Sequence, residues 1–371
     1  MLFGPLAGHV SLASTVFRFR KLFMMPHQNA PLFSQNLSTE NFSYSQDRTF
    51  EETIKREVSE IIQRIPQEMI DIPESLRAVA TYYFDGSGKA IRPYFILLVS
   101  RLVNLLHGSG ARPTEPQRKI AMISEIIHTA TLLHDDVIDV GDLRRGKTTA
   151  RNLWGNRASV FCGNYLLGKC GYLLGSLGNV DAVKAIFGSI KDLVEGELLQ
   201  LGSREKENDR FEHYLRKTYW KTASLFAESF RAAAFVSPAP PSAASVETVF
   251  QFGRNMGIAF QLMDDLLDFE CSSDQLGKPT KVDLKLGLAT APVLFATKKH
   301  PSLEALILRR FSEPSDVVEA YEMVMESDGI KETRLLASKF VDAANKQLSN
   351  FPDSEAKELL RHRTLEILNR T

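Results

Sequence analysis

The hydrophobic positions of this chain recur at helical intervals almost throughout. From Thr49, which stands at capping-box spacing from Glu52, an apolar face runs through Ile54, Val58, Ile61, Ile62 and Ile65 until Pro66 ends it. Ser75 to Tyr83 reads as a second helix, stopped by Asp85-Gly86-Ser87-Gly88, and Arg92-Pro93 opens a third through Leu97, Leu98, Leu102 and Leu105. Thr114-Glu115-Pro116-Gln117 is a strong helix start, with a capping residue, an early proline and Gln three residues on. The helix it begins carries Ile120, Ile123, Ile127 and Leu133 and is predicted to run about 25 residues, roughly 37 Å, which is long enough to pass through the middle of a bundle. Trp154 to Leu177, Val180 to Leu201 and Phe211 to Phe235 continue the pattern. After the break Ser237-Pro238-Ala239-Pro240-Pro241, Ser242 or Ser245 caps another long helix through Phe250, Met256, Phe260 and Leu267. Gly253 and Gly257 within it suit the close approach of a neighbouring helix. Short amphipathic helices fill 313–371, and no alternating strand pattern appears. The reading is a single all-α domain, residues 46–371, built as a helical bundle around a central cavity.

Two polar clusters interrupt this apolar pattern. His128 to Arg145 contains Asp135, Asp136 and Asp139, then the pair Arg144 and Arg145. Asp135 and Asp139 share a helix face. Carboxylates at a helix C-terminus oppose the macrodipole, which points to a cation there. Such a group suits Mg²⁺, which takes its remaining oxygens from water and substrate phosphates, and the arginines suit the same phosphates. Asp264, Asp265 and Asp268 repeat the spacing late on a second long helix. If the two helices face each other, six carboxylates line one cavity mouth and two or three Mg²⁺ ions bridge them to a diphosphate. Lys89 and Arg92, three apart after a Gly-rich turn, form a further candidate phosphate face.

Composition narrows the choice. The 371 residues carry 45 basic and 45 acidic side chains, with no basic stripe to favour nucleic acid. No apolar run spans a bilayer, so membrane contact is at most peripheral. Cys162, Cys170 and Cys271 are too few and too far apart for a disulfide framework or a zinc site, and fit a reducing compartment. The first 39 residues lack Asp and Glu but hold Arg18, Arg20 and Lys21, so residues 1–45 are expected to be a mitochondrial-type targeting segment. Gly86-Ser87-Gly88-Lys89 is not a P-loop, because Ala90 stands where Ser or Thr would meet Mg²⁺ and no strand precedes it. His134 reads as a supporting residue. Glu195 and Glu197 are open between site-lining and surface positions.

The paired Asp-Asp-x-x-Asp motifs, Arg144-Arg145-Gly146 and Gly257-x-Ala259-Phe260-Gln261 resemble the trans-isoprenyl diphosphate synthases, over nearly everything from about residue 50 onward. Tyr83-Phe84-Asp85-Gly86, the stretch Glu197 to Ser203 and the stretch Asp283 to Thr290 resemble the long-chain mitochondrial branch of that family. The resemblance implies head-to-tail transfer of isopentenyl diphosphate onto an allylic diphosphate such as farnesyl or geranylgeranyl diphosphate. It assigns the allylic diphosphate to the six aspartates through Mg²⁺, with Arg144, Lys221, Thr222, Gln261 and Lys278 assisting. It assigns isopentenyl diphosphate to Lys89, Arg92, His128 and Arg145. It further implies a matrix location, a quinone side chain as product, and either a homodimer or a hetero-oligomer with a second polyprenyl synthase subunit. Leu288 replaces a common lysine, Asn164 a frequent Asp, and Thr148 a frequent Pro. Ala130 and Thr131, one turn before Asp135 and both small, imply a long product. A terpene cyclase and a non-catalytic partner subunit of the same fold are the rival readings.

Overall fold

Each long helix follows from an apolar stripe and a local start signal, and the start signal at Thr114 sets the centre. Thr114 donates its backbone N–H to Gln117 Oε1 at 2.9 Å, closing the capping box, and α4 runs from Glu115 to Ile138. Gln117 is fully buried and reaches out with its Nε2 to Asn104 Oδ1 at 2.8 Å and Ala233 O at 3.3 Å. One side chain thus caps α4 and ties it to two other helices.

The computed structural model describes residues 44–370, apart from 87, 145, 203–209 and 271–280. Before α4 come α1 (Tyr44–Glu68), α2 (Glu74–Thr81) and α3 (Ile91–Leu106). After it come a two-residue antiparallel ladder of β1 (Leu143–Arg144) with β2 (Lys147–Thr148), then α5 (Ala150–Gly175), α6 (Val180–Gly202) and α7 (Arg210–Thr218). A π turn (Tyr219–Ala223) leads into α8 (Ser224–Phe235), and α9 spans Ala243–Glu270. The remainder is α10 (Val282–Lys285), α11 (Ala291–Ala296), α12 (Leu303–Leu308), α13 (Asp316–Glu326), α14 (Gly329–Leu348), α15 (Glu355–Glu366) and a final 3₁₀ turn, Ile367–Asn369. Helix α4 packs against α3, α5 and α8, while α9 packs against α8 and α14. Helix α8 therefore touches both helices that carry aspartate motifs.

The close approach expected at Gly253 and Gly257 is present. A Cβ on Gly257 would lie 2.6 Å from Ala223 Cα, and one on Gly253 2.8 Å from Ala227 Cα. Arg101 and Glu57 form a buried ion pair at 2.7 Å that fastens α1 to α3.

Four local readings are corrected by the structure. Helix α1 begins at Tyr44, so Thr49 lies inside it and its carbonyl accepts the Thr53 hydroxyl. Pro66 does not stop α1; the helix runs on to Glu68 and then tightens, with Met69 N–H donating to Pro66 O. Trp154 is not a helix start: α5 opens four residues earlier and is interrupted at Gly155, φ +83°. The stretch 211–235 is not one regular helix but α7 and α8 joined through the π turn. Ser242, rather than Ser245, caps α9, its hydroxyl accepting Ser245 N–H at 3.1 Å. Among the described residues the one ladder is too short to leave an alternating signature.

Gly257→Ala is expected to cost about 2 kcal/mol, because backbone rather than a flexible side chain meets the new methyl group. Urea unfolding with an unchanged midpoint would refute the close packing of the π turn's end on α9.

Candidate active site

The two aspartate motifs are built alike. In each, the second carboxylate is buried and accepts a buried tyrosine hydroxyl. Asp136 Oδ2 accepts Tyr83 Oη at 2.7 Å, and Asp265 Oδ2 accepts Tyr214 Oη at 2.5 Å. Each also has a second donor: Arg144 Nε reaches Asp136 Oδ1 at 2.6 Å, and Gln261 Nε2 reaches Asp265 Oδ1 at 2.8 Å. Tyr83 in turn accepts Ala150 N–H at 3.1 Å, which fastens the start of α5 to the first motif. These carboxylates are held in place by the protein itself.

Asp135 and Asp139 are different. Among the described residues neither carboxylate accepts a hydrogen bond. Burial pushes the Asp135 carboxyl up to about 6; Lys221 draws it back, while Glu197 adds repulsion. Burial also raises Asp139, with Lys221 opposing and Glu197 adding to it. Burial pulls the Lys221 ammonium down, but Glu197, then Asp135 and Asp139, outweigh this and hold it above its ordinary value. Lys221 Nζ lies 2.6 Å from Glu197 Oε1 and 3.3 Å from Gln200 Oε1. Lys221 and Thr222 both lie in the π turn, a distortion common at functional sites. The Thr222 hydroxyl donates to Gln261 Oε1 at 2.7 Å, which joins the π turn to the second motif's helix.

On the second motif Asp264 is exposed and meets only Arg370 Nη2, at 3.4 Å, among the described residues. Asp268 is committed to the backbone. Its two oxygens accept Val282 N–H and Asp283 N–H, each at 3.1 Å, at the start of α10. Asp283 is thereby brought beside Asp265; burial, then Asp265 and Asp268, hold its carboxyl well above the usual range.

Lys89 lines a cavity of about 1110 Å³ together with Tyr83, Glu125, Phe260 and Arg370. The turn leading to it is strained, Ala90 sitting at φ +42°. Arg92 stacks over the Phe226 ring at 4.8 Å, and His128 is half-buried, its carbonyl accepting the Thr131 hydroxyl. Ala130 is fully buried on the same helix. Arg145 and Lys278 lie outside the described residues, as do Cys271 and residues 1–43 of the expected targeting segment. His134 packs into a notch at Gly163, where a Cβ would fall 2.2 Å from Nε2. Glu195 pairs outward with Lys191 at 3.1 Å, whereas Glu197 faces Lys221.

Residues 73–324 match the profile of the Polyprenyl synthetase family. The all-trans-polyprenyl-diphosphate synthase of Homo sapiens is 44% identical over 305 residues, 82% of this chain and 73% of that one. The chain belongs to the polyprenyl synthetase family. The probable mitochondrial hexaprenyl pyrophosphate synthase of Yarrowia lipolytica is 36% identical, over 86% of this chain and 84% of its own. A solved polyprenyl synthase from Caulobacter crescentus, complexed with calcium and isoprenyl diphosphate, superposes with a TM-score of 0.76 at 30% identity, covering 90% of this chain and 99% of that one. As a member of this family the protein is a prenyltransferase with the all-helical fold.

The donor set fits a divalent cation. Asp135 is half-buried and Asp139 lies at the exposed end of α4; burial raises both carboxyls, and the opposing pull of Lys221 and Arg144 does not outweigh it. No three acidic, histidine or cysteine groups already converge at ligand distance among the described residues. That arrangement suits Mg²⁺ bound jointly with substrate phosphate oxygens.

Tyr214 and Lys217 are not singled out by the sequence, and Gln200 and Asp283 enter it only within stretches that carry the resemblance. A buried tyrosine opposite an aspartate has no fixed sequence interval, and Tyr214 is 51 residues from Asp265. Lys217 did carry a signal, standing one helical turn before Lys221. Its ammonium is pulled down by burial, with Asp265 opposing. Tyr214→Phe is expected to lower unfolding free energy by about 2 kcal/mol and turnover at least tenfold, since a hydrogen bond to a buried charge is lost. Full turnover in a prenyl-transfer assay would show that the tether is not needed.

Proposed function

We propose that this chain is a long-chain trans-polyprenyl diphosphate synthase of the mitochondrial matrix, extending farnesyl or geranylgeranyl diphosphate with isopentenyl diphosphate to make the ubiquinone side chain. The observation that carries the reading is the twin construction of the motifs, each with its second carboxylate tethered by tyrosine and a neighbouring one left for a cation. The long-chain activity and the mitochondrial setting are those of the relatives named above. Residues 1–45 serve as the targeting segment.

Two or three Mg²⁺ ions, when bound, supply Lewis-acid charge that stabilises the departing diphosphate. Asp135, Asp139 and Asp264 would hold them. Asp136 and Asp265 set the motif geometry through their tyrosines, and Asp268 does so through α10. Lys221 places its ammonium beside Asp135, where negative charge builds on the leaving group as the allylic C–O bond breaks. Thr222, Gln261, Arg144 and Lys278 orient the same diphosphate. Lys89, Arg92, His128 and Arg145 hold isopentenyl diphosphate with its double bond toward the allylic carbon. The alkene carbon bonds to that carbon, and the proton lost next to it goes to the departed diphosphate. Ala130 and Thr131 leave room for the growing tail.

Incubation with farnesyl diphosphate, radiolabelled isopentenyl diphosphate and Mg²⁺, alone and with a co-expressed second subunit, is expected to give long polyprenyl products. A cyclic hydrocarbon, or no product in either case, would overturn the reading. Asp135→Ala is expected to cut turnover at least 100-fold with helical circular dichroism intact. Ala130→Phe is expected to shorten the product; unchanged length on thin-layer chromatography would remove that residue from the tail's path.

A further inference from the structure

Lys217 lies on the last turn of α7, four residues before Lys221. An interval of four returns to nearly the same side of a helix, so the two ammoniums serve one region. They lean toward different motifs within it. Lys221 is drawn by Glu197, Asp135 and Asp139, the acids of the first motif's side. Lys217 is drawn foremost by Asp265 and then by Asp283, on the side of the second motif, and still feels Lys221 and Glu197. It therefore stands between the two aspartate clusters.

No acid holds Lys217 in contact. Among the described residues its ammonium donates no hydrogen bond and forms no ion pair; the ring of Tyr214 lies 5.9 Å away. The neighbouring acceptors are already engaged. Asp265 accepts Tyr214 on one oxygen and Gln261 on the other. Both oxygens of Asp268 accept backbone N–H groups of α10. A lysine kept only to neutralise these acids would touch one of them. Instead burial pulls its ammonium down while three N–H donors stand idle, an arrangement that is costly unless a ligand brings the acceptors.

The ligand must offer several anionic oxygens at the level between the motifs. The diphosphate of the allylic substrate is such a group. We propose that Lys217 is a catalytic residue, the second-motif counterpart of Lys221, which donates to the allylic diphosphate from the side of Asp265 as Lys221 does from the side of Asp135. As the allylic C–O bond breaks, its electron pair stays on the diphosphate, and the charge that builds there falls between the two ammoniums. Tyr214 then has two duties, its hydroxyl fixing Asp265 and its ring lying beside the lysine. The role in turnover rests on the synthase reading; the affinity for a diphosphate does not.

The test titrates inorganic pyrophosphate, at saturating Mg²⁺, into the wild type, Lys217→Met and Lys217→Arg by calorimetry, and follows urea unfolding and steady-state kinetics of the same proteins. Lys217→Met is expected to bind pyrophosphate at least tenfold more weakly and to turn over at least tenfold more slowly, with KM for isopentenyl diphosphate unchanged. Its urea midpoint is expected to be no lower, because methionine replaces a desolvated and unpaired charge with a side chain of similar length. Lys217→Arg is expected to recover most of the pyrophosphate affinity. Wild-type affinity in Lys217→Met overturns the assignment. A midpoint that falls together with the affinity makes Lys217 a structural counter-ion, and overturns it as well. Should the methionine variant not fold, Lys217→Gln, which keeps a polar end, is read in the same titration with the same two outcomes. A wild type that binds no pyrophosphate overturns the site. One that binds it through Lys217 yet extends no farnesyl diphosphate refutes the synthase reading and leaves the diphosphate site standing.

Discussion

Two tyrosine hydroxyls, Tyr83 and Tyr214, hold the structure to its task. Each fixes the middle carboxylate of a motif at the C-terminal end of an apolar helix, where neither the macrodipole nor the surrounding side chains favour negative charge. Without those tethers the acidic groups would turn toward water. Beside the first of them, burial raises the Asp135 carboxyl to about 6, and keeping it ionised near neutral pH costs the fold on the order of a few kcal/mol. The fold is thus least comfortable around the first aspartate motif.

The rest of the bundle is arranged around this strain. Gln117 binds three helices at one end of α4, and Gly253 and Gly257 let α8 sit against α9. Helix α8 then carries both motif helices, so their separation follows from the packing of backbone on backbone rather than of long side chains. The bridge from Thr222 to Gln261 ties the π turn to α9.

Helical period, capping and the repeated aspartate spacing were enough to place α4 and α9, the aspartates near their C-terminal ends and the all-helical class. They work because each is a local signal within a few residues. The tyrosine tethers, the commitment of Asp268 to α10 and the approach of Asp283 to Asp265 are contacts between distant segments, with nothing nearby in sequence to mark them. The six aspartates look equivalent in the sequence because spacing records only the helix face. Burial and hydrogen bonding divide them into tethered, backbone-bound and available groups. Pro66 misled for the opposite reason: a strong local signal was overridden within α1, which ran on to Glu68.

The π turn at Tyr219–Ala223 has a consequence for phase. One surplus residue turns everything after it by about 100° relative to a regular helix. Removing a single residue there would make a better helix, and would swing Lys221 away from Glu197 and Thr222 away from Gln261. The length of this segment, and not only its composition, is part of the chemistry.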